Sequence, residues 1–213
     1  MENDSRKKRP PRVKQISLDQ ATFRRDDSEI FQLYNISSTG IAFLRKSGDV
    51  WPEKNISFGG VLKINDHEFS LRLSVQRYAE NFIGCKIENP DRGYQNYLEL
   101  KFSMEISAVN MTNVAESALR PQPDGNPHWF FDGLSNELYF VEKNNVIQRF
   151  RINTAGHFIS YTPGRKVYIE EENDLIALGT LPVLVDELTK FVLSIEGIDK
   201  NHRASILDIL KKG

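Results

Sequence analysis

EIFQLYNISSTGIAFLR, residues 29–45, sets two runs rich in aromatic and β-branched residues, EIFQLY and GIAFLR, on either side of a polar cluster. Asn35, Ser37, Ser38, Thr39 and Gly40 are turn-forming types: the short polar side chains bond back to the chain, and glycine admits a sharp reversal. The stretch predicts a strand, a tight turn and a returning strand. The pattern continues outward through GVLKIN (60–65), FSLRLSVQRY (69–78) and NFIGCKI (81–87), with RRDD, KSGD, ISFGG, NDHE and AEN as breaks. Short strands so closely spaced predict an antiparallel barrel or sandwich, and the cost of unpaired edges favours closure into a barrel.

Downstream of ENPDRG, the stretch YQNYLELKFSMEIS (94–107) places Tyr97, Leu100 and either Phe102 or Met104 near helical spacing, which predicts a helix after the barrel. ALRPQPDGNPHW (118–129) holds three prolines and a glycine and reads as a linker. HWFFDG, NELYFVEKN, NVIQRFRIN, HFISYTPG and KVYIEEE then predict hairpins turning at KNN and TPG. In LPVLVDELTKFVLSIEG the period changes, with Leu184, Leu188, Val192 and Ile195 on one helical face and Gly197 at its end. A second helix in DKNHRASILDILKKG starts from Asp199 as N-cap. The expectation is a mainly β chain in four parts: a flexible basic arm (1–12), a six-stranded antiparallel barrel with a following helix (13–117), a linker (118–127) and a small α+β module (128–213).

Hydrophobic residues make up 39% and charged residues 27% of the 213, enough for a packed core and too apolar for global disorder. One cysteine, Cys85, excludes an intramolecular disulfide, and the four histidines show no ligand spacing, so neither a metal nor a cofactor is expected. No apolar run approaches the roughly 18 residues that span a bilayer, and no apolar stretch follows the basic N-terminus as in a signal peptide. The expectation is a soluble, cytoplasmic protein with no membrane insertion. The net charge of -1 argues against a general nucleic-acid binder. The charge is uneven, however: residues 1–12 carry Arg6, Lys7, Lys8, Arg9 and Arg12 against Glu2 and Asp4.

Two features could act together on a ligand. Asn35 offers donors and an acceptor suited to a base edge, Ser37 and Ser38 add hydroxyls, and Gly40 allows close approach of ligand to backbone. The same residues also suit a plain turn with self-bonding Asn and Ser. The arm, ending KKRPPR at Arg12, brings guanidinium forks that clamp phosphate, stack on a base or bind guanine in bidentate fashion.

On these residues the N-terminal half resembles a PilZ domain, the bacterial receptor module for cyclic di-GMP. The family carries RxxxR before its first strand and [DN]xSxxG at a strand-turn some 20 to 30 residues later. NISSTG matches the second motif at Asn35, Ser37 and Gly40, and KRPPR, Lys8 to Arg12, is the best register for the first. Lys8 stands where the family has arginine, which keeps the charge but loses the planar fork; Arg9 lies next to it. The resemblance covers about residues 6–108. It implies a six-stranded PilZ-type barrel and a cyclic di-GMP site at Lys8, Arg9, Arg12, Asn35, Ser37, Ser38 and Gly40. It also implies a protein partner, of unknown identity, in motility, pilus or biofilm machinery.

Catalytic groups are sparse, and no enzyme is expected. Cys85 sits in an apolar strand, as a buried small hydrophobe does, and there is no G-x-S-x-G elbow or phosphate-binding glycine loop. EEEND (170–174) reads as a solvated acidic loop. The competing readings are a PilZ-like scaffold that does not bind the nucleotide and a single-strand nucleic-acid-binding barrel. A near-neutral charge and no visible aromatic platform weigh against the second.

Overall fold

The computed structural model describes residues 10–14, 18, 20–171 and 174–213, with the side chain of Glu171 left aside. Most of the basic arm, including Lys8 and Arg9, lies outside these residues. The chain divides into two units, Met1–Phe102 and Ser103–Gly213. No helix among the described residues is long and apolar enough to cross a membrane.

The first unit contains β1 (Val13–Lys14), β2 (Ala21–Arg25), β3 (Ile30–Ser37), β4 (Gly40–Leu44), β5 (Ser57–Ile64), β6 (His67–Tyr78), β7 (Phe82–Glu88) and α1 (Arg92–Lys101). Strands β3-β2-β5-β6-β7-β4 pair antiparallel in that order, and β4 returns to β3, so six strands close a barrel. The seventh, β1, lies along β3 through the pairs Val13↔Ile36 and Lys14↔Asn35. The expected mainly β class and six-stranded antiparallel barrel are what the chain forms. Alternation puts Phe23, Leu33, Ile36, Ile41, Phe43, Leu62, Leu73, Val75, Ile83 and Ile87 in the interior, each at most 2% exposed. Trp51 packs against Phe31 and Phe43, with ring centroids 4.3 and 5.2 Å apart.

Helix α1 starts at Asp91, whose carboxylate accepts from the Tyr94 amide at 2.8 Å. Its buried face is Tyr94 and Leu98, four residues apart, rather than the expected Tyr97 and Leu100; Leu100 is 80% exposed. The expected single helix is two, because the chain turns at Phe102 and α2 (Ser103–Asn110) belongs to the second unit.

The second unit continues with β8 (Thr112–Asn113), β9 (Asn126–Phe131), β10 (Glu137–Lys143), β11 (Val146–Thr154), β12 (His157–Tyr161), β13 (Tyr168–Glu171), β14 (Asp174–Ala177), α3 (Pro182–Ser194) and α4 (Lys200–Lys212). Its sheet is an antiparallel meander, each strand beside its sequence neighbour. Asn144 and Asn145 both take positive φ in the two-residue turn closed by Lys143↔Val146, as KNN predicts. Leu184, Leu188, Val192 and Ile195 all enter the core, which joins α2, α3 and α4 to the sheet. Asp199 caps α4, accepting from the amides of Asn201 and His202.

The structure moves the domain boundary. Residues 118–127 do not join two units: Met104, Ala108 and Met111 are already core residues of the second one. Within 118–127, Asp124 accepts from Arg149 Nε at 2.7 Å. Pro121 and Pro123 mark a loop of the second unit, Pro127 already lies in β9, and the boundary falls at Phe102. In EEEND, of which Glu172 and Asn173 lie outside the described residues, the backbones of Glu170 and Glu171 pair with Leu175 and Asp174 instead of forming the expected solvated loop.

At one end of this sheet His128 stacks on Phe140 at 4.6 Å and faces His202 of α4 at 5.2 Å, with the Nε2 of both rings buried and without a hydrogen-bond partner. Desolvation, then the neighbouring His202, lowers the His128 pKa below its ordinary 6.5, against weaker opposite pulls from Glu116 and Glu142. The neutral ring is the stable form in the fold. Its contribution is therefore complete above 6.5 and is lost as pH falls through that value and the lower folded one. Melting of the full chain between about pH 7 and about pH 5 should show a smaller loss of stability in His128→Phe than in the parent.

Candidate functional site

Register brings the motif residues together. Across β3, β4, β7 and β6 the cross-strand neighbours run Asn35, Ala42, Gly84 and Arg77, and beside them Ser37, Gly40 and Lys86. All seven line a cleft of about 350 Å³, with Asn35 and Ser37 on one wall, Arg77 and Gln76 on the other, and Gly40, Ala42 and Gly84 between. Arg12, one residue before the Val13↔Ile36 pair, is carried to the Ser37 side by β1, and Pro10 and Arg12 both line the cleft.

Two irregularities shape the walls. The ladder slips by one residue at Tyr34 in β3 and at Gln76 in β6. Such bulges re-aim neighbouring side chains. They flank the β4–β7 pair, one on each wall.

The electrostatics are one-sided. Arg12, Arg77 and Lys86 line the cleft, no Asp or Glu does, and none of the three is ion-paired among the described residues. A wider depression of about 690 Å³ on the same unit, around Arg25, Trp51 and Phe58, is different. There Arg25 is bonded to Asp27 and Glu29, and Arg72 approaches Glu88 at 3.4 Å, so its cations are already neutralised. We therefore place the candidate site in the smaller cleft, where cationic charge is unspent.

The motif residues divide between turn and cleft. Ser37 Oγ donates to the Gly40 carbonyl at 3.2 Å, and the Ser37 carbonyl accepts from the buried Tyr94 hydroxyl at 2.7 Å. Burial raises the Tyr94 pKa, which keeps the phenol protonated as the donor. A β-carbon on Gly40 would stand 3.1 Å from the Cys85 carbonyl oxygen, so glycine there serves the approach of β4 to β7. Asn35, half-buried, spends no side-chain hydrogen bond among the described residues and is free for a ligand. Ser38 does not line the cleft; exposed Thr39 does. Cys85 also lines it, but burial pushes its thiol up to about 12, which leaves it protonated and unreactive.

Gln76, Arg77, Phe82, Gly84 and Lys86 are absent from the motif and reach the site only through the β6–β7 pairing. The signal available in the sequence is the small residue Gly84 within NFIGCKI. A β-carbon at Gly84 would meet nothing closer than 3.8 Å, so packing does not require glycine there, and its bare backbone keeps the cleft floor low. Among the described residues no group of three or more His, Cys, Asp or Glu comes together as a metal site would.

Tyr94→Phe removes the donor to the Ser37 carbonyl and leaves that buried acceptor unpaired, which should cost about 1–3 kcal/mol of stability in a denaturant melt. Gly84→Ala should leave the melt unchanged within about 0.5 kcal/mol, as a substitution away from packing does.

No protein-family model matches the chain, and no curated protein matches it. Among solved structures, the crystal structure of an uncharacterized Legionella protein aligns at 21% sequence identity, over 43% of this chain and 89% of its own, with a TM-score of 0.32. A likeness at that level says nothing about function.

Proposed function

We propose that the first unit is a cytoplasmic receptor for cyclic di-GMP of the PilZ kind, and that the second unit passes the bound state to a protein partner. The observation that supports this reading is the cleft: Arg12, Asn35, Ser37 and Gly40, which the family motifs single out, share it with Arg77 and Lys86 and with no carboxylate. Cations without counter-ions favour a ligand with phosphates, and a free carboxamide at Asn35 favours one with a base edge. The floor of Gly40, Ala42 and Gly84 lets such a ligand lie against backbone. In this reading the arm closes over the ligand from the Arg12 side, and Lys8 and Arg9 add phosphate contacts.

Titration calorimetry with cyclic di-GMP tests the reading and gives stoichiometry. Arg12→Ala and Asn35→Ala should each cost about 1.5–3 kcal/mol of binding, roughly ten- to a hundredfold in affinity. Their melting curves should match the parent, because neither side chain makes a hydrogen bond or ion pair among the described residues. Gly84→Ala should weaken binding without loss of stability, whereas Gly40→Ala should impair both. Absence of binding by the parent at high micromolar nucleotide would sink the receptor reading and leave a PilZ-like scaffold in its place.

A further inference from the structure

Phe82 holds a column that the motif residues do not explain. Tyr34 of β3 reaches across β4 to lie parallel to Phe82, with a 3° angle between the rings and centroids 5.1 Å apart. The guanidinium of Arg77 lies over Phe82, 4.6 Å from its centroid. Tyr34 is the extra residue of the β3 bulge, and Arg77 follows the extra residue of the β6 bulge. Both are exposed, Tyr34 at 39%. The column thus spends two ladder irregularities and an exposed aromatic to hold one arginine in place, and that arginine has no carboxylate partner among the described residues.

A side chain kept only for its charge needs no such support, because a point charge acts from many rotamers. A guanidinium held over a ring keeps few orientations, and a planar group so positioned can stack on a second flat group, which an ammonium cannot. We propose that Arg77, backed by Phe82 and Tyr34, is a stacking shelf for a flat heterocyclic base of the ligand. The opposite wall at Asn35 reads a base edge by hydrogen bonds, and Arg12 and Lys86 take the phosphates between. The preferred ligand class is therefore a nucleotide with two bases joined through phosphates. A mononucleotide satisfies one wall only. The shelf itself does not read base identity, since every base has a flat face. The inference rests on the proposed function and extends it to the ligand's second base.

The test is the affinity of full-length protein for cyclic di-GMP and for GMP, in the parent and in Arg77→Lys and Phe82→Leu, each with a melting curve. Arg77→Lys keeps the charge and loses the plane. It should weaken cyclic di-GMP binding about five- to a hundredfold, with a salt dependence equal to the parent's. Phe82→Leu should weaken binding in the same direction, and the parent should prefer cyclic di-GMP to GMP. If Phe82→Leu does not fold, the surface variant Arg77→Lys decides alone. Parent-like binding by Arg77→Lys overturns the shelf and leaves the receptor reading standing; no binding by the parent overturns both.

Discussion

Barrel closure depends on how near β4 can come to β7 at Gly40. The hairpin turns in two residues, Ser38 and Thr39, and sets Gly40 opposite both Ser37 and Lys86. A side chain at Gly40 would press on the Cys85 carbonyl, so the ring of six strands is completed where one residue has no β-carbon. Tyr94 then fixes the far side of the same turn by bonding the Ser37 carbonyl. The cleft is a by-product of this closure: small residues that let two strands approach also leave a trough with polar walls.

The same fact explains why the motif is ambiguous as text. Ser37 and Gly40 serve the turn itself, and an Asn-Ser-Gly cluster is what any tight hairpin favours. Only Asn35, whose side chain spends no hydrogen bond among the described residues, separates a ligand-facing residue from a turn-forming one, and that distinction appears only in the fold. Charge behaves similarly. Arg12 is visible as the end of a basic run, whereas Arg77 and Lys86 are isolated cations in alternating strands, no different in sequence from solvent-facing residues. Pairing across β6 and β7 is what gathers them.

The barrel was legible because its interior follows period 2 in β7 and, up to their bulges, in β3 and β6, and the first C-terminal helix because Leu184, Leu188, Val192 and Ile195 keep one face; the second was marked by Asp199 as its cap. The misread places have physical causes. Tyr97 and Leu100 fit helical spacing as well as Tyr94 and Leu98 do, and burial alone chooses between them. Pro121 and Pro123 mark a loop correctly, although Pro127 falls in β9; proline content does not tell a loop inside a unit from a link between units. The paired acids at Glu170 and Glu171 look like a solvated run, yet their backbones are claimed by a hairpin.

The two sheets differ in how far apart in sequence their partners lie. Each strand of the meander in the second unit pairs with the next, so its pairings stay local in sequence, the widest being Thr112 with Phe131. The barrel closes through Ile41 with Cys85, 44 positions away. Long-range closure costs chain entropy before any contact repays it, and such pairings slow folding. The barrel cannot close before its last strand has been made: while β4 waits for β7 to leave the ribosome, its edge is an unpaired row of backbone groups. Lys46 and Asp49 in the following turn put charge beside that edge, in the manner of residues that guard an open strand against pairing with another chain.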